Sequence, residues 1–242
     1  MTTKTMLTCA IGAAMLTTMP LAAQTKIERA ATTPGAAWQE TFAFKECKLA
    51  TTGRNDYFVL EPGFRTELRS KDTRLVITVL GDTKMVDGVL TRVVEEREWK
   101  DGKLYEVARN YFALCEGSND VYYFGEEVDF YKDGKVTGHD GTWLAGKDGA
   151  KAGLLMPGKP TLGLRYYQEI APGVAMDRAE IVKLDGSCKT PAGTFAKCLT
   201  IKEGTALDPS VEEVKYYAPG IGLIGDAEMH LTKYGFVGKE KK

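Results

Sequence analysis

The chain has 242 residues, 43% of them hydrophobic and 27% charged, with a formal net charge of −1. These values are ordinary for a globular protein. They exclude the basic excess a nucleic-acid binder needs and give no polybasic face for a membrane surface.

Met1-Thr2-Thr3-Lys4 supplies one positive charge, Met6 to Leu21 is apolar and uncharged, and Leu21-Ala22-Ala23 ends in small residues. This is the pattern of a signal peptide cleaved near Ala23, so residues 1–23 are expected to be removed from a secreted or periplasmic protein. The run is too short and too rich in Thr and Ala for a stable membrane span, and Cys9 lies too early for a lipid anchor. Residues 24–35 are Thr- and Ala-rich and read as a flexible segment, 36–238 as one β domain, and 239–242 as a charged tail. The mature chain keeps Cys47, Cys115, Cys188 and Cys198. An even count in an exported protein favours disulfides. Cys188 and Cys198 flank the turn Pro191-Ala192-Gly193, so the simplest pairing joins them and leaves Cys47 with Cys115. Four buried thiols are the alternative.

Strand-length runs separated by turn residues begin near Arg74 and continue through Val89–Trp99, Leu104–Cys115 and Val121–Tyr131. Lys100-Asp101-Gly102-Lys103 and Lys132-Asp133-Gly134-Lys135 are hairpin signals, because Asp-Gly accepts the positive φ values of a type I′ turn. Along Val121–Tyr131, strict alternation places Tyr122, Phe124, Glu126, Val128 and Phe130 on one face and Tyr123, Glu127, Asp129 and Tyr131 on the other. Ala145–Pro160 carries four glycines and two prolines around Leu154-Leu155-Met156 and reads as a loop. Strands resume at 164–170, 178–184, 194–202, 211–217 and 221–234. No stretch after residue 35 has helical periodicity. The expected fold is mainly β, an antiparallel meander forming a strongly curved sheet, half-barrel or open barrel; a two-sheet β sandwich is the alternative.

Several segments together resemble an uncharacterised family of exported bacterial β-rich proteins: Tyr57-Phe58-Val59-Leu60-Glu61-Pro62-Gly63, Tyr122-Tyr123-Phe124-Gly125-Glu126, Gly149–Pro157, Thr190-Pro191-Ala192-Gly193-Thr194-Phe195, and Tyr216-Tyr217-Ala218-Pro219-Gly220-Ile221-Gly222-Leu223-Ile224. They span most of the mature chain. The resemblance implies a curved antiparallel sheet similar in style to periplasmic lipid and lipoprotein carriers, and no catalytic residue. The chain departs from the family at Asn55-Asp56-Tyr57-Phe58-Val59-Leu60, where prolines usually stand.

No phosphate-binding Gly-rich loop, Gly-x-Ser-x-Gly elbow, His-Glu-x-x-His or Cys-x-x-Cys is present, and there are only two histidines, His139 and His230. The densest group of chemistry-bearing residues is the hairpin with Glu127, Asp129, Asp133, His139 and Asp140. Several close carboxylates there could hold calcium; the other reading is a solvated hairpin whose charges prevent edge pairing. Glu126 shares the apolar face, where a carboxylate needs a partner such as Arg92 or Arg109, or a raised pKa. Tyr122, Phe124, Glu126, Trp143, Leu154, Leu155 and Met156 are the candidate ligand-binding residues, with 154–156 as a lid over an apolar groove. The expectation is a non-enzymatic exported protein holding a hydrophobic small molecule or lipid, without a cofactor. A structural or partner-binding envelope protein is one alternative. A hydrolase using Glu126 or Glu127 with His139 is the other.

Overall fold

The computed structural model describes residues 37–237; the expected signal peptide (1–23), the segment 24–35 and the expected charged tail (239–242) lie outside that range. Eighteen strands run in order: β1 (Leu49–Ala50), β2 (Arg54–Asn55), β3 (Phe58–Val59), β4 (Phe64–Arg69), β5 (Thr73–Val86), β6 (Val89–Lys100), β7 (Lys103–Cys115), β8 (Val121–Lys132), β9 (Lys135–Gly138), β10 (Trp143–Leu144), β11 (Lys151–Met156), β12 (Arg165–Tyr167), β13 (Glu169–Ile170), β14 (Asp177–Thr190), β15 (Gly193–Thr205), β16 (Glu212–Ala218), β17 (Gly222–Asp226) and β18 (Met229–Phe236). Among the described residues the helical content is a single 3-10 turn at Phe44–Glu46.

The turns are set by local chemistry. Asp101-Gly102 (φ 50° and 74°) and Asp133-Gly134 (φ 52° and 76°) both take positive φ, as type I′ hairpins require. A third such dipeptide, Asp87-Gly88, turns β5 into β6 in the same way.

The main sheet has the order β12-β14-β15-β16-β17-β18-β4-β5-β6-β7-β8-β11-β13. Two meanders, β14 to β18 and β4 to β8, therefore meet where β18 pairs antiparallel with β4, His230 opposite Arg69 and Phe236 opposite Phe64. The far edges approach each other through one stretch of chain. Residues 165–167 pair with β14, residues 169–170 pair with β11, and Gln168 lies between them with its N–H on the carbonyl of Asp177. The result is an antiparallel barrel, nearly closed, with one unsealed seam at Gln168. Curling a sheet this long on itself hides its apolar face and removes most of its unpaired edge.

Two segments differ in secondary structure from the sequence expectation. The segment 151–156 is strand β11, not a lid. Gly153 pairs with Tyr123 and Leu154 with Tyr122, and Ala152, Leu154 and Met156 are buried. Gly153 makes this possible, since a Cβ there would stand 2.3 Å from the Gln168 carbonyl oxygen. The run 221–234 is two strands joined by a turn at Ala227, whose φ is 48°.

The N-terminal segment straps the outside of the barrel. Its Phe44 meets Phe124 edge-on at 5.3 Å and Tyr122 at 5.8 Å, and β1 pairs with the end of β7. The disulfide Cys47–Cys115 fastens it there. Arg92 locks the same strap from below, donating to the carbonyls of Thr51 at 2.7 Å and Gly81 at 2.6 Å. Cys188 and Cys198 remain thiols. Bulges in the β14–β15 ladder place Cys198 opposite Gly186 and Cys188 opposite Phe195, so the short-loop bridge expected from the turn is not formed. Burial, with the Cys188 thiol beside it, pushes the Cys198 thiol up to about 12.

Candidate functional site: the barrel lumen

Alternation decides which side chains enter the barrel. On β6 the inward residues are Val94, Glu96 and Glu98; on β7 they are Glu106, Asn110 and Phe112; on β5 they are Leu75, Ile77 and Val79. The outward residues Glu95, Arg97, Arg109 and Asp129 form an ion-pair belt on the opposite face, with Arg109 donating to Asp129 at 3.1 Å and Arg97 to Glu95 at 2.7 Å.

Strand β8 changes parity in the middle. Tyr111 pairs with Gly125 but Phe112 pairs with Tyr123, so one extra residue is inserted. Gly125 accepts the bulge at φ 154°, and a Cβ there would lie 2.8 Å from the Trp143 carbonyl oxygen. A bulge re-aims every side chain that follows it. Tyr123, Glu126, Val128 and Phe130 therefore face the lumen, while Tyr122 and Phe124 face outward under the Phe42–Phe44 strap. The uninterrupted alternation read from the sequence put Tyr122 and Phe124 with Glu126, and the bulge separates them.

The lumen contains a cavity of about 270 Å³. Its lining comes from both meanders. Phe58, Val59, Phe64, Val79, Val94, Phe112, Ile221 and Leu223 make an apolar wall. Glu96, Glu98, Glu126, Glu169, Asp177, Glu203 and Asp226 make an acidic one, and Lys215 is the lysine among the lining residues. Lys215 donates to Glu203 at 2.8 Å and lies 3.9 Å from Asp226. Glu203 also accepts from Gln168 Nε2 at 3.0 Å and the Tyr217 hydroxyl at 3.2 Å. The Asp177 N–H donates to Glu169 Oε1 at 3.2 Å. The Asp177 carboxyl is hydrogen-bonded with Glu169 and Thr205, and its Oδ1 is shut off from solvent with no N–H or hydroxyl donor on it.

Burial governs the titration of these groups. It raises Glu96 to about 7. It also raises Glu98 and Asp226. Glu169 goes well above the carboxylate range through burial and then the adjacent Asp177, which burial raises too. Lys215 rises well above its usual value, because Asp226 and Glu203 outweigh its own burial. A carboxyl whose folded pKa exceeds its unfolded one stabilises the fold below the unfolded value, and that contribution is lost as pH climbs through the folded value. The protein is thus expected to unfold at higher urea at about pH 5 than at about pH 8, and Glu96 alone, moving from 4.5 to about 7, contributes up to about 3 kcal/mol of the difference. Glu67 and Glu127 do not obscure the effect. Hydrogen bonds outweigh burial at both and lower them, so their contribution changes only below about pH 4.5. Urea titrations at the two pH values check this, and Glu96→Gln should flatten the dependence. An unchanged midpoint would contradict it.

The residues singled out by sequence scatter. Of the ligand-binding candidates, Glu126 and Leu155 line the cavity. Trp143 is buried and meets the lining residue Tyr123 edge-on at 5.1 Å. Tyr122, Phe124, Leu154 and Met156 belong to the packed core. The acidic hairpin does not converge. Glu127 accepts from Lys84 and Tyr111, Asp129 from Arg109 and His139, Asp133 sits in the hairpin turn, and Asp140 reaches the cavity. Among the described residues no group of three His, Cys, Asp or Glu is gathered for a metal ion. Arg92 and Arg109, the partners considered for Glu126, are engaged by backbone carbonyls and by Asp129. The hydrolase alternative loses its geometry, since Glu126 points into the lumen while His139 and Glu127 lie outside. The acidic inner wall was missed, although Val94-Glu95-Glu96-Arg97-Glu98 on one strand must send charge to both faces.

No protein-family model matches the sequence, and no curated protein resembles it. The chain has a slight structural likeness, at 12% identity and a TM-score of 0.33, to a crystal structure described as a "putative lipoprotein" from Parabacteroides distasonis, over 72% of this chain and 95% of that one. A likeness of that extent transfers no role. No helix among the described residues is long and apolar enough to cross a membrane.

Proposed function

We propose that this chain is an exported, non-enzymatic binding protein whose barrel lumen receives a small molecule with an apolar body. The observation that carries the reading is the cavity of about 270 Å³ between the two meanders, with a continuous apolar wall. Barrels larger than about eight strands have more interior than their side chains fill, and ligand sites pair an apolar lining with a few polar groups. The volume lies just below the usual range of roughly 300–1,000 Å³, which suits a short-chain amphiphile better than a two-chain lipid. The Cys47–Cys115 bridge and the motif resemblance to exported β-rich proteins support export.

Native mass spectrometry of protein recovered from the periplasm or medium tests this reading. A retained small molecule, lost on solvent extraction and replaced by octanol, is the expected result. A bare mass together with no uptake of octanol or any charged octyl compound would overturn it and leave a structural or partner-binding role in the envelope.

A further inference from the structure

The lumen has more acid than its own bases can serve. Lys215 is committed to Glu203 and Asp226, and Lys100 reaches Glu98 at 3.2 Å. Among the described residues no basic side chain forms an ion pair with Glu169 or Asp177. Both carboxyls line the cavity and are hydrogen-bonded to each other, and Asp177 Oδ1 lies shut off from solvent with no N–H or hydroxyl donor on it. A buried acceptor left in that state is costly and calls for a donor.

We infer that the ligand carries a protonated amine beside its apolar chain, with the ammonium seated between Asp177 and Glu169; this rests on the binding-protein reading above. An ammonium brings three N–H donors and a positive charge, which answers both the unpartnered oxygen and the adjacent carboxyls. A compact metal ion fits less well, because no three ligating side chains converge. A fatty-acid carboxylate would add a like charge to a wall that already holds several. The apolar wall of Phe64, Val79, Val94 and Phe112 supplies the other half of the site, for hydrocarbon. At about 30 Å³ for each water-sized group, 270 Å³ accommodates roughly nine non-hydrogen atoms, the size of an eight-carbon amine.

Without ligand, burial and then the neighbouring Asp177 raise Glu169, whereas burial raises Asp177 against the hydrogen bond with Glu169 that lowers it. An ammonium favours the ionised form of both carboxyls, so a proton held between them leaves for solvent when it binds.

The test uses the full mature chain, stripped of any bound molecule, titrated calorimetrically at neutral pH with octylammonium chloride, octanol and sodium octanoate. Octylammonium is expected to bind at least about tenfold more tightly than octanol, with octanoate weakest. Asp177→Asn and Glu169→Gln should each erase most of that preference, bringing octylammonium affinity down close to that for octanol measured on the same variant. If octanol or octanoate binds as well as octylammonium, the amine inference is overturned and the binding-protein reading stands. If a preference for octylammonium survives in both folded variants, the assignment to these two carboxyls is overturned. If none of the three compounds binds, both readings fall together. Should either variant not fold, the order of the three ligands on the unmodified chain decides.

Discussion

Replacing Lys215 by Met is expected to destabilise the protein by about 3–5 kcal/mol at about pH 8, with a smaller loss at about pH 5. The lysine side chain is 20% exposed and those of its partners Glu203 and Asp226 are 11% and 4% exposed. Removing one member of a buried pair strands the others, and the cost of an uncompensated buried charge exceeds the net value of the pair itself. Glu203 keeps its hydrogen bonds from Gln168 and Tyr217, so Asp226 bears most of the loss. Protonation relieves it, and Asp226 already sits above its ordinary value through burial, which is why the cost shrinks in acid. Urea unfolding of Lys215→Met at both pH values, compared with Lys215→Met/Asp226→Asn, checks the argument. The double variant should recover part of the stability at the higher pH. A single variant as stable as the parent at about pH 8 would show that the lumen is wet enough to solvate these charges.

The second large effect is at the disulfide. Cys47 and Cys115 are separated by 68 residues, and in the chain-entropy picture releasing a loop of that length costs about 4 kcal/mol. The paired change Cys47→Ser/Cys115→Ser should lower the unfolding midpoint accordingly. It should also loosen the strap, because Phe42 and Phe44 would be held over Tyr122 and Phe124 only by packing, the short β1–β7 ladder and Arg92. Proteolysis near residues 40–50 is the matching observable. A loss below about 1 kcal/mol would mean that the strap is held by its other contacts and that the unbridged chain retains the same loop.

The β class, the hairpins and the general curl of the sheet were legible from local patterns. An Asp-Gly pair between alternating runs sets its own backbone and needs no help from distant residues, so the turns at 101–102 and 133–134 could be placed from four residues each. The same holds for the strands they join. The pairing of Cys47 with Cys115 also followed, though by elimination from a bridge at Cys188 and Cys198 that the structure does not contain.

What escaped depends on contacts far apart in the chain. The bulge sits at a glycine because Trp143 and Leu144 pass too close there for a Cβ, and its effect is to exchange the faces of Tyr122 and Tyr123. Segment 151–156 looks like a loop by its glycines, yet Gly153 serves a backbone crossing with Gln168 that only the assembled barrel creates. The acidic wall of the lumen shows the same limit most clearly. Alternation states that Glu95 and Glu96 face opposite ways, but it carries no information on which way is inside. That is decided by closure, when β18 docks on β4 and the stretch 165–170 spans the seam, bringing Glu96, Glu169, Asp177, Glu203 and Lys215 from five separate segments into one enclosed space. Local sequence therefore determined the strands and their turns, because backbone conformation is a short-range property. The site belongs to the tertiary structure, because burial and charge pairing depend on which strands become neighbours.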